Sequence, residues 1–208
     1  MITVYGAPPT RSLRVLWMLE EMGLSYEVRP VDFATREQDA EFTAINPAAA
    51  FPAFRDGAVA MMESCAILEY LAARYGPTPL APGPDDPTFP AYLTFLHFGE
   101  ASLAGPMNVI IASRFMAPEG EKRNWGAGWV MDNFVRKSAA LVRRLKESPY
   151  LAGPDFTAAD ISCGYAIGFA RSLGAGDRLD PILGEYLARL TAREAYKRAA
   201  THGPPPRS

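Results

Sequence analysis

Six prolines crowd into fifteen residues before the middle of the chain, and they constrain the fold more than any other feature. The segment 76–90 contains Pro77, Pro79, Pro82, Pro84, Pro87 and Pro90 together with two glycines. This density prevents regular structure and favours a stiff linker. The sequence therefore predicts domains at 1–77 and 91–200, joined by a proline-rich linker at 78–90. A tail at 201–208, with three consecutive prolines and no apolar anchor, is predicted to be disordered.

The residues before the linker have the pattern of a mixed α/β domain. Ile2 to Tyr5 is short and apolar, Ser12 to Met22 is apolar almost all round, and Tyr26 to Val31 returns to strand character. In a strand, helix, strand order the two strands lie parallel, because such crossovers are right-handed. The domain is therefore predicted to open with a βαβ unit.

A second pattern follows in the same domain. The dipeptide Asp56-Gly57 separates two short apolar runs, Ala53 to Arg55 and Ala58 to Met61, and it suits the tight turn of a β-hairpin. A marginal surface helix is predicted over 34–46, and a clearer helix begins near Glu63. The predicted order is thus βαβ, a helix, then ββα.

Strand-like alternation is absent after the linker, so the second domain is predicted to be all helical. Long helices are expected over Tyr92 to Phe115 and over Trp125 to Lys146, with a bend at Pro106. Further along, Thr157 and Asp160 have the spacing of a capping box, in which Thr157 caps a helix and Asp160 bonds the Thr157 amide.

Composition narrows the class of partner. The chain is 49% hydrophobic and 21% charged, and neither a membrane-spanning run nor a signal peptide is visible, so we expect a soluble, cytoplasmic protein without a membrane partner. A net charge of −2 gives no reason to expect a nucleic acid. Cys65 and Cys163 form neither a disulfide framework nor a metal cluster, so both are predicted to be buried thiols and no metal is expected.

Several short motifs occur in a fixed order. They are Tyr5-Gly6-Ala7-Pro8 leading to Arg14-Val15-Leu16-Trp17, Asn46-Pro47 with Phe51-Pro52, Glu63-Ser64 with Ile67 and Tyr70-Leu71, and Thr157-Ala158-Ala159-Asp160. Each is weak alone, but in this order and spacing the chain resembles the cytosolic glutathione transferase superfamily, of bacterial type, over most of its length. The resemblance implies an α/β thioredoxin-like N-terminal domain followed by an all-α helical bundle domain.

The resemblance also implies an activity. Its members activate the thiol of glutathione, their cosubstrate, and add it to small, usually apolar electrophiles in detoxification, commonly as homodimers. Residues 48–50 are all alanine, so the aromatic key of some dimers is absent there. Two alternatives share the scaffold: a glutathione-dependent isomerase or peroxidase, and a non-enzymatic glutathione-binding carrier or stress protein. The lack of a Ser-Ser-Cys run in the first loop counts against the isomerase.

By the resemblance, four residues bind glutathione: Phe51, Pro52, Glu63 and Ser64. A proline held cis before a hairpin strand exposes the amide and carbonyl of the preceding residue, here Phe51, to an extended peptide. Glu63 and Ser64 open a helix, where unpaired amides and the positive dipole end attract a carboxylate. The resemblance assigns the γ-glutamyl carboxylate to Ser64, and Glu63 can then accept the ammonium group of the same residue.

Catalysis needs a hydroxyl, thiol or cation near the glutathione sulfur, because a thiol of pKa about 8.5 is only a few per cent thiolate at neutral pH. The usual serine position of the family falls on Pro9, and the bacterial cysteine position falls on Arg11. The remaining candidates are Thr10 first, then Ser12 and Arg11. Tyr5 is an alternative if the alignment slips, and backbone amides at the helix start are another. A purely structural interpretation is that Thr10 or Ser12 caps the helix.

Overall fold

The computed structural model describes residues 1–122 and 124–202. The chain forms two compact units, one made of Met1–Thr78 with the segment from Thr191 onward, and the other of Pro79–Leu190. From residue 203 on, the tail predicted to be disordered lies outside the described residues.

The first unit is built on a four-stranded mixed sheet. Its elements are β1 (Ile2–Tyr5), α1 (Ser12–Met22), β2 (Tyr26–Arg29), α2 (Ala40–Ile45), β3 (Ala53–Asp56), β4 (Val59–Met62) and α3 (Ser64–Tyr75), with a short 3₁₀ turn at Arg36–Gln38. The strand order is β2-β1-β3-β4, in which β1 pairs parallel with β2 and antiparallel with β3. The predicted α/β class, the βαβ opening and the hairpin are confirmed.

Helix α1 is apolar almost all round because nearly all of it is buried. Val15, Leu16 and Leu19 are fully enclosed in the core of this unit. The helix ends at Gly23, whose left-handed backbone returns its amide to the carbonyls of Leu19 and Glu20. Glycine adopts that conformation without the steric penalty of a side chain, as expected at a helix C-terminus.

The hairpin differs in one detail from the expectation. Its two connecting residues are Gly57 and Ala58, and Asp56 pairs with Val59 as the last rung of the ladder. Gly57 has a φ of +59°, which glycine adopts readily. Asp56 belongs to the strand because its carboxylate accepts hydrogen bonds from Tyr70 and Tyr75 of α3, at 2.9 and 2.6 Å.

The second unit is all helical in the described residues, as predicted. Its helices are α4 (Phe89–Phe98), α5 (Asn108–Ile111), α6 (Trp125–Leu145), α7 (Ala158–Ala170) and α8 (Pro181–Thr191), with wider π-helical turns at Gly99–Ala104, Ala112–Met116 and Arg171–Ala175 and 3₁₀ turns at Glu119–Glu121 and Gly176–Arg178. No helix in this described part of the chain is long and apolar enough to cross a membrane.

The bend predicted at Pro106 is confirmed, but the helix predicted over 92–115 is divided further than expected. The structure begins α4 earlier, at Phe89, with Pro90 in its first turn, and then breaks the helical path between Ala104 and Asn108. Proline is tolerated in a first helical turn, whose amides have no intrahelical partner. Pro106 lies inside the break and cannot donate an amide hydrogen bond to continue the helix.

The N-terminus of α7 is closed by a buried carboxylate. Asp160 accepts from the Thr157 amide at 2.8 Å, from the Leu151 amide at 2.9 Å and from the Tyr186 hydroxyl at 2.6 Å. The predicted capping box is therefore present. Burial raises the pKa of the Asp160 carboxyl, and the hydrogen bonds that it accepts oppose that effect.

The last helix, which the sequence analysis placed in the helical domain, makes its main contacts with the first unit. It is α9 (Glu194–Ala200), which packs on α1. Arg193 pairs with both carboxylate oxygens of Glu21, at 2.6 and 2.8 Å, and the ring of Tyr196 meets that of Trp17 edge-on at 4.9 Å. Helical periodicity along the chain cannot reveal such a long-range partner.

Candidate functional site

The start of α3 has unusual backbone geometry. Glu63, the residue before the helix, has φ +71° and ψ 105°, and no side chain caps the helix there within the described residues. For a residue with a side chain, such a conformation costs about 1–3 kcal/mol and is retained mostly at functional sites. Glu63 is exposed, whereas Ser64 next to it is buried. The strained residue thus precedes a helix whose first amides have no intrahelical hydrogen-bond acceptor.

Ser64 is held by a residue from another helix. Its Oγ accepts a hydrogen bond of 3.1 Å from Nη1 of Arg14, which lies on α1. The two side chains are 2% and 0% exposed, so this contact is shielded from water. The start of α3 therefore has a fixed hydroxyl beside its amides.

The loop before β3 is braced by Asn46. Its Nδ2 donates to the carbonyls of Ala50, at 2.6 Å, and Pro52, at 3.4 Å, while its Oδ1 accepts from the Ala48 amide at 3.1 Å. The Phe51–Pro52 peptide bond is cis, the form that the resemblance implied. Asn46 is 3% exposed. One buried amide therefore fixes the loop that leads into the cis peptide.

The side chain of Phe51 is partly buried and packs against the core of the first unit. Its ring lies 5.1 Å from the ring of Phe42 and 6.2 Å from the ring of Phe33. A Cβ on Gly6 would lie only 2.5 Å from the Phe51 ring and 2.5 Å from Ser12 Oγ, and Gly6 also has φ +108°. Only glycine fits here. The loop after β1 and the loop before β3 therefore touch.

Thr10 and Ser12 lie close together at the start of α1. Thr10 Oγ1 donates to the Ala7 carbonyl at 2.6 Å and lies 3.0 Å from Ser12 Oγ. Ser12 is fully buried, and its hydroxyl is directed at the Tyr5 carbonyl at 3.4 Å. Thr10 is only half-buried. Of the two hydroxyls, that of Thr10 is the more accessible, although its proton bonds its own loop.

Arg11 and Tyr5 complete the set of sequence candidates. Arg11 precedes α1 in helical conformation and is half-buried. Tyr5 is buried, and its hydroxyl donates to Glu41 at 2.5 Å. Burial, with this bond second, raises the pKa of the Tyr5 hydroxyl. The Tyr5 hydroxyl therefore links β1 to α2 through Glu41 in this structure.

Two residues of this region escaped the sequence analysis as site residues. Arg14 was part of a motif, but nothing in its spacing indicated that it would meet Ser64, fifty positions later. Asn46 was likewise named only as part of a motif. A signal existed for Arg14, since it is the one arginine within a run of apolar residues, and a buried arginine requires polar partners.

No group of three or more His, Cys, Asp or Glu side chains in the described parts of the chain lies close enough to hold a metal ion. Cys65 and Cys163 are both buried thiols that form no disulfide, as expected.

Comparisons with known proteins agree with this geometry. Residues 1–73 match the sequence model of the glutathione S-transferase N-terminal domain, and residues 112–202 match that of the C-terminal domain. Glutathione S-transferase 3 of Schizosaccharomyces pombe is 31% identical over 173 residues, which cover 77% of this chain and 70% of that protein.

Solved structures are similar over nearly the whole chain. A theta class glutathione S-transferase from Xanthomonas axonopodis pv. citri, solved with glutathione bound, has a TM-score of 0.81 at 28% identity, covering 97% of this chain and 98% of its own. The transferase URE2P8 of Phanerochaete chrysosporium, solved with oxidized glutathione, has a TM-score of 0.84 at 22% identity, covering 95% and 92%. At that identity the second likeness shows the fold alone.

A thioredoxin-like unit with a cis proline before its hairpin, joined to a helical unit, defines the class of fold. The chain belongs to the glutathione transferase family.

Proposed function

We propose that this protein binds glutathione on its thioredoxin-like unit and adds the thiol of glutathione to small apolar electrophiles. The observation that carries the proposal is the open N-terminus of α3. There Glu63 holds a strained backbone, and the Ser64 hydroxyl donates to no acceptor among the described residues. A donor that is buried, fixed and unused points to a ligand that accepts hydrogen bonds.

The γ-glutamyl end of glutathione fits this helix start. Its α-carboxylate would accept from the Ser64 hydroxyl and from the first amides of α3, whose positive dipole end favours an anion. Its ammonium group would meet the carboxylate of Glu63. Hydrogen bonds in which one partner is charged are stronger than neutral ones, so the pair recognises a zwitterionic head.

The cysteinyl part of glutathione fits the cis-proline loop. The backbone of Phe51 can pair with an extended peptide in the manner of an added strand, because its side chain is packed away against Phe42. The Gly6 contact joins this loop to the start of α1. The sulfur would therefore lie near Thr10, Ser12 and the first amides of α1.

The proposed reaction is a nucleophilic addition. The thiol loses its proton to water, the thiolate attacks an electrophilic carbon, and a carbon–sulfur bond forms as a leaving group departs or a double bond takes up a proton. We assign thiolate stabilisation first to Thr10, then to Ser12 and Arg11. A hydroxyl hydrogen rotates to suit its partner, so Thr10 can turn its proton from the Ala7 carbonyl to a bound sulfur.

A second candidate function has its own observation. Thr10 bonds the Ala7 carbonyl, and Ser12 is fully buried against the Tyr5 carbonyl. If those bonds persist when glutathione binds, the sulfur would gain only the backbone amides of α1. A protein that binds glutathione without forming its thiolate would act as a carrier or sensor.

We further propose a cytoplasmic homodimer with a role in detoxification. The family resemblance supports this assembly, and the residues around position 49 imply an interface without an aromatic key. Light scattering coupled to gel filtration tests it directly, since a dimer has twice the mass of the 22.7 kDa chain.

The test is a titration with glutathione while the ultraviolet absorbance of the thiolate is recorded. Wild type should bind and show thiolate at neutral pH. Ser64→Ala should lose about 10- to 150-fold in affinity, because a hydrogen bond to a charged group contributes about 1.5–3 kcal/mol. Thr10→Val keeps the shape of the side chain and should lose the thiolate signal while retaining affinity.

The matched control is Ser138→Ala, a buried serine of α6 whose hydroxyl bonds the carbonyl of Val135 within its own helix. It should leave both signals unchanged. Binding without thiolate in wild type would favour the carrier function. No binding in wild type would contradict the glutathione assignment altogether.

A further inference from the structure

The hydrogen bond between Arg14 and Ser64 has a fixed donor and a fixed acceptor, and this affects how the site recognises a ligand. Arg14 Nη1 lies 3.1 Å from Ser64 Oγ, and both side chains are buried, one on α1 and the other at the start of α3. A guanidinium carries five N–H donors and no acceptor. Ser64 is therefore the acceptor in this bond.

Because Ser64 accepts the bond from Arg14, its own hydroxyl proton is left to donate to another group. A serine hydroxyl has a single hydrogen and two lone pairs, and it ordinarily rotates to suit its neighbours. Here one lone pair faces Arg14, so the O–H must point elsewhere. Among the residues that the structure describes, Ser64 has no other side-chain hydrogen bond. Its hydrogen has no acceptor within residues 1–122 and 124–202 and is available to a ligand.

We infer that Arg14 is a positioning residue that sets Ser64 as an obligate hydrogen-bond donor, so that the site selects a carboxylate over an isosteric carboxamide. The inference rests on the proposed binding of glutathione at the start of α3. Arg14 does not touch the ligand in this scheme. It acts through Ser64, by excluding the rotamer in which the hydroxyl would turn back towards α1.

The choice of side chain supports this role. A buried arginine is expensive to desolvate, and a neutral amide could bond a serine without introducing a charge. A glutamine at position 14, however, could either donate to Ser64 or accept from it. It would permit the hydroxyl to turn, and the carboxylate would then face a lone pair. A lysine, when protonated, can only donate.

The experiment compares two ligands on the full-length protein. One is glutathione, and the other is its analogue in which the γ-glutamyl α-carboxylate is replaced by a carboxamide. Calorimetry measures the dissociation constant of each ligand, and the quantity compared is the ratio of the carboxamide's constant to that of glutathione. Ser64→Ala should reduce this ratio by about 10-fold or more, the effect of one charge-assisted hydrogen bond. Arg14→Gln should reduce it by a similar factor, and the double variant should lower it by no more than about 2-fold further, because the two residues act as one unit.

Two further variants separate positioning from folding. Arg14→Lys should keep the ratio within about 3-fold of wild type at neutral pH, because lysine preserves the donor. Glu21→Gln is the matched control, since it removes the partner of Arg193 at the far end of α1 and does not touch Ser64. It should lower stability and leave the ratio unchanged.

The outcomes divide cleanly. If Arg14→Gln weakens both ligands equally and the ratio stays at the wild-type value, Arg14 has only a structural role and the inference is wrong. If Arg14→Gln does not fold, Arg14→Lys decides the matter, since a ratio as low as that of Ser64→Ala would contradict the inference. If wild type binds neither ligand, the glutathione assignment fails, and that result is distinct from a wild type that binds without depending on Arg14.

Discussion

The N-termini of α3 and α7 differ in whether side chains of the protein bond the first amides of the helix. At α7, Asp160 gathers bonds from the Thr157 amide, the Leu151 amide and the Tyr186 hydroxyl, so the chain satisfies its own donors. At α3 no side chain caps the helix within the described residues, Glu63 holds a positive φ, and Ser64 is turned by Arg14. The hydrogen-bond donors at the start of α7 are satisfied within the protein, whereas the start of α3 keeps unused donors and a strained backbone.

The contrast separates stability from function in a single chain. A capped start contributes to folding and has nothing left for a ligand. An open start forfeits that contribution but presents preorganised donors, whose orientation is already fixed before binding. Substitutions at the two starts should therefore change different measured quantities.

The largest expected effect is at Asp160. Asp160→Ala should lower the free energy of unfolding by about 3–5 kcal/mol, because it strands a buried hydroxyl and two amides together. Urea denaturation followed by circular dichroism measures it. Asp160→Asn, which keeps one carbonyl acceptor, should lose less. The comparison breaks if Asp160→Ala retains wild-type stability and instead weakens glutathione binding in the folded protein.

A matched pair of substitutions sharpens the comparison. Thr157→Ala should lower the free energy of unfolding by about 1 kcal/mol, a typical loss for a helix cap, and leave glutathione affinity unchanged. Ser64→Ala removes no helix cap, so its loss of stability should come only from the acceptor that Arg14 loses, and it should lower affinity by about 1.5–3 kcal/mol. Thermal unfolding and calorimetry on both variants test this crossing of effects. If the two variants lost stability and glutathione affinity to the same extent, the two helix starts would not differ in kind.

The strain at Glu63 should be recoverable as stability. Glu63→Gly should raise the free energy of unfolding by about 1 kcal/mol, because glycine adopts a φ of +71° without a steric penalty. The same variant should weaken glutathione binding, since the carboxylate is gone. Glu63→Gln is the control, because it removes the charge and keeps the strain, so it should weaken binding without raising stability. A destabilised Glu63→Gly protein would contradict this account.

The smallest effect is expected at the other end of α3. The hydroxyls of Tyr75 and Tyr70 hold the pKa of the Asp56 carboxyl below its ordinary value, with burial opposing them. A lowered folded pKa contributes stability above the ordinary aspartate pKa of about 4, and that contribution is lost as the pH falls through the folded value. Asp56→Asn should lower the free energy of unfolding at pH 7 by about 0.5–1 kcal/mol, since the site is partly exposed to water.

The measurement for Asp56 is a series of urea denaturations from neutral to acid pH. The difference between wild type and Asp56→Asn should shrink as the pH falls through the lowered pKa. A constant difference across the series would mean that the hydrogen bonds at Asp56 do not depend on its charge.

The elements that local sequence determines were predictable. The βαβ opening, the hairpin, the α6 helix and the Thr157–Asp160 box all follow from periodicity, turn residues and caps within a few positions. The bend at Pro106 was predicted, but the wider π-helical turns on either side of it leave no mark in the residue pattern. The contacts of α9 with Trp17 and Glu21 could not be predicted, because they span most of the chain.

Sequence motifs predict which residues form the candidate site but not the directions of their side chains. Motif order indicated Phe51, Pro52, Glu63 and Ser64, and the cis bond agrees with that reading. Which way each hydroxyl points depends on partners far along the chain. The inward-facing Ser12 and the Arg14 bond of Ser64 could be seen only once the helices were assembled.

The placement of α9 has a consequence for how the polypeptide is made. Trp17 is only 1% exposed, and the ring of Tyr196 is part of its cover. The ribosome delivers the sheet and α1 first and α9 nearly last. For most of translation, the first-made unit therefore waits with part of its apolar surface unprotected, and it is completed only when α9 emerges.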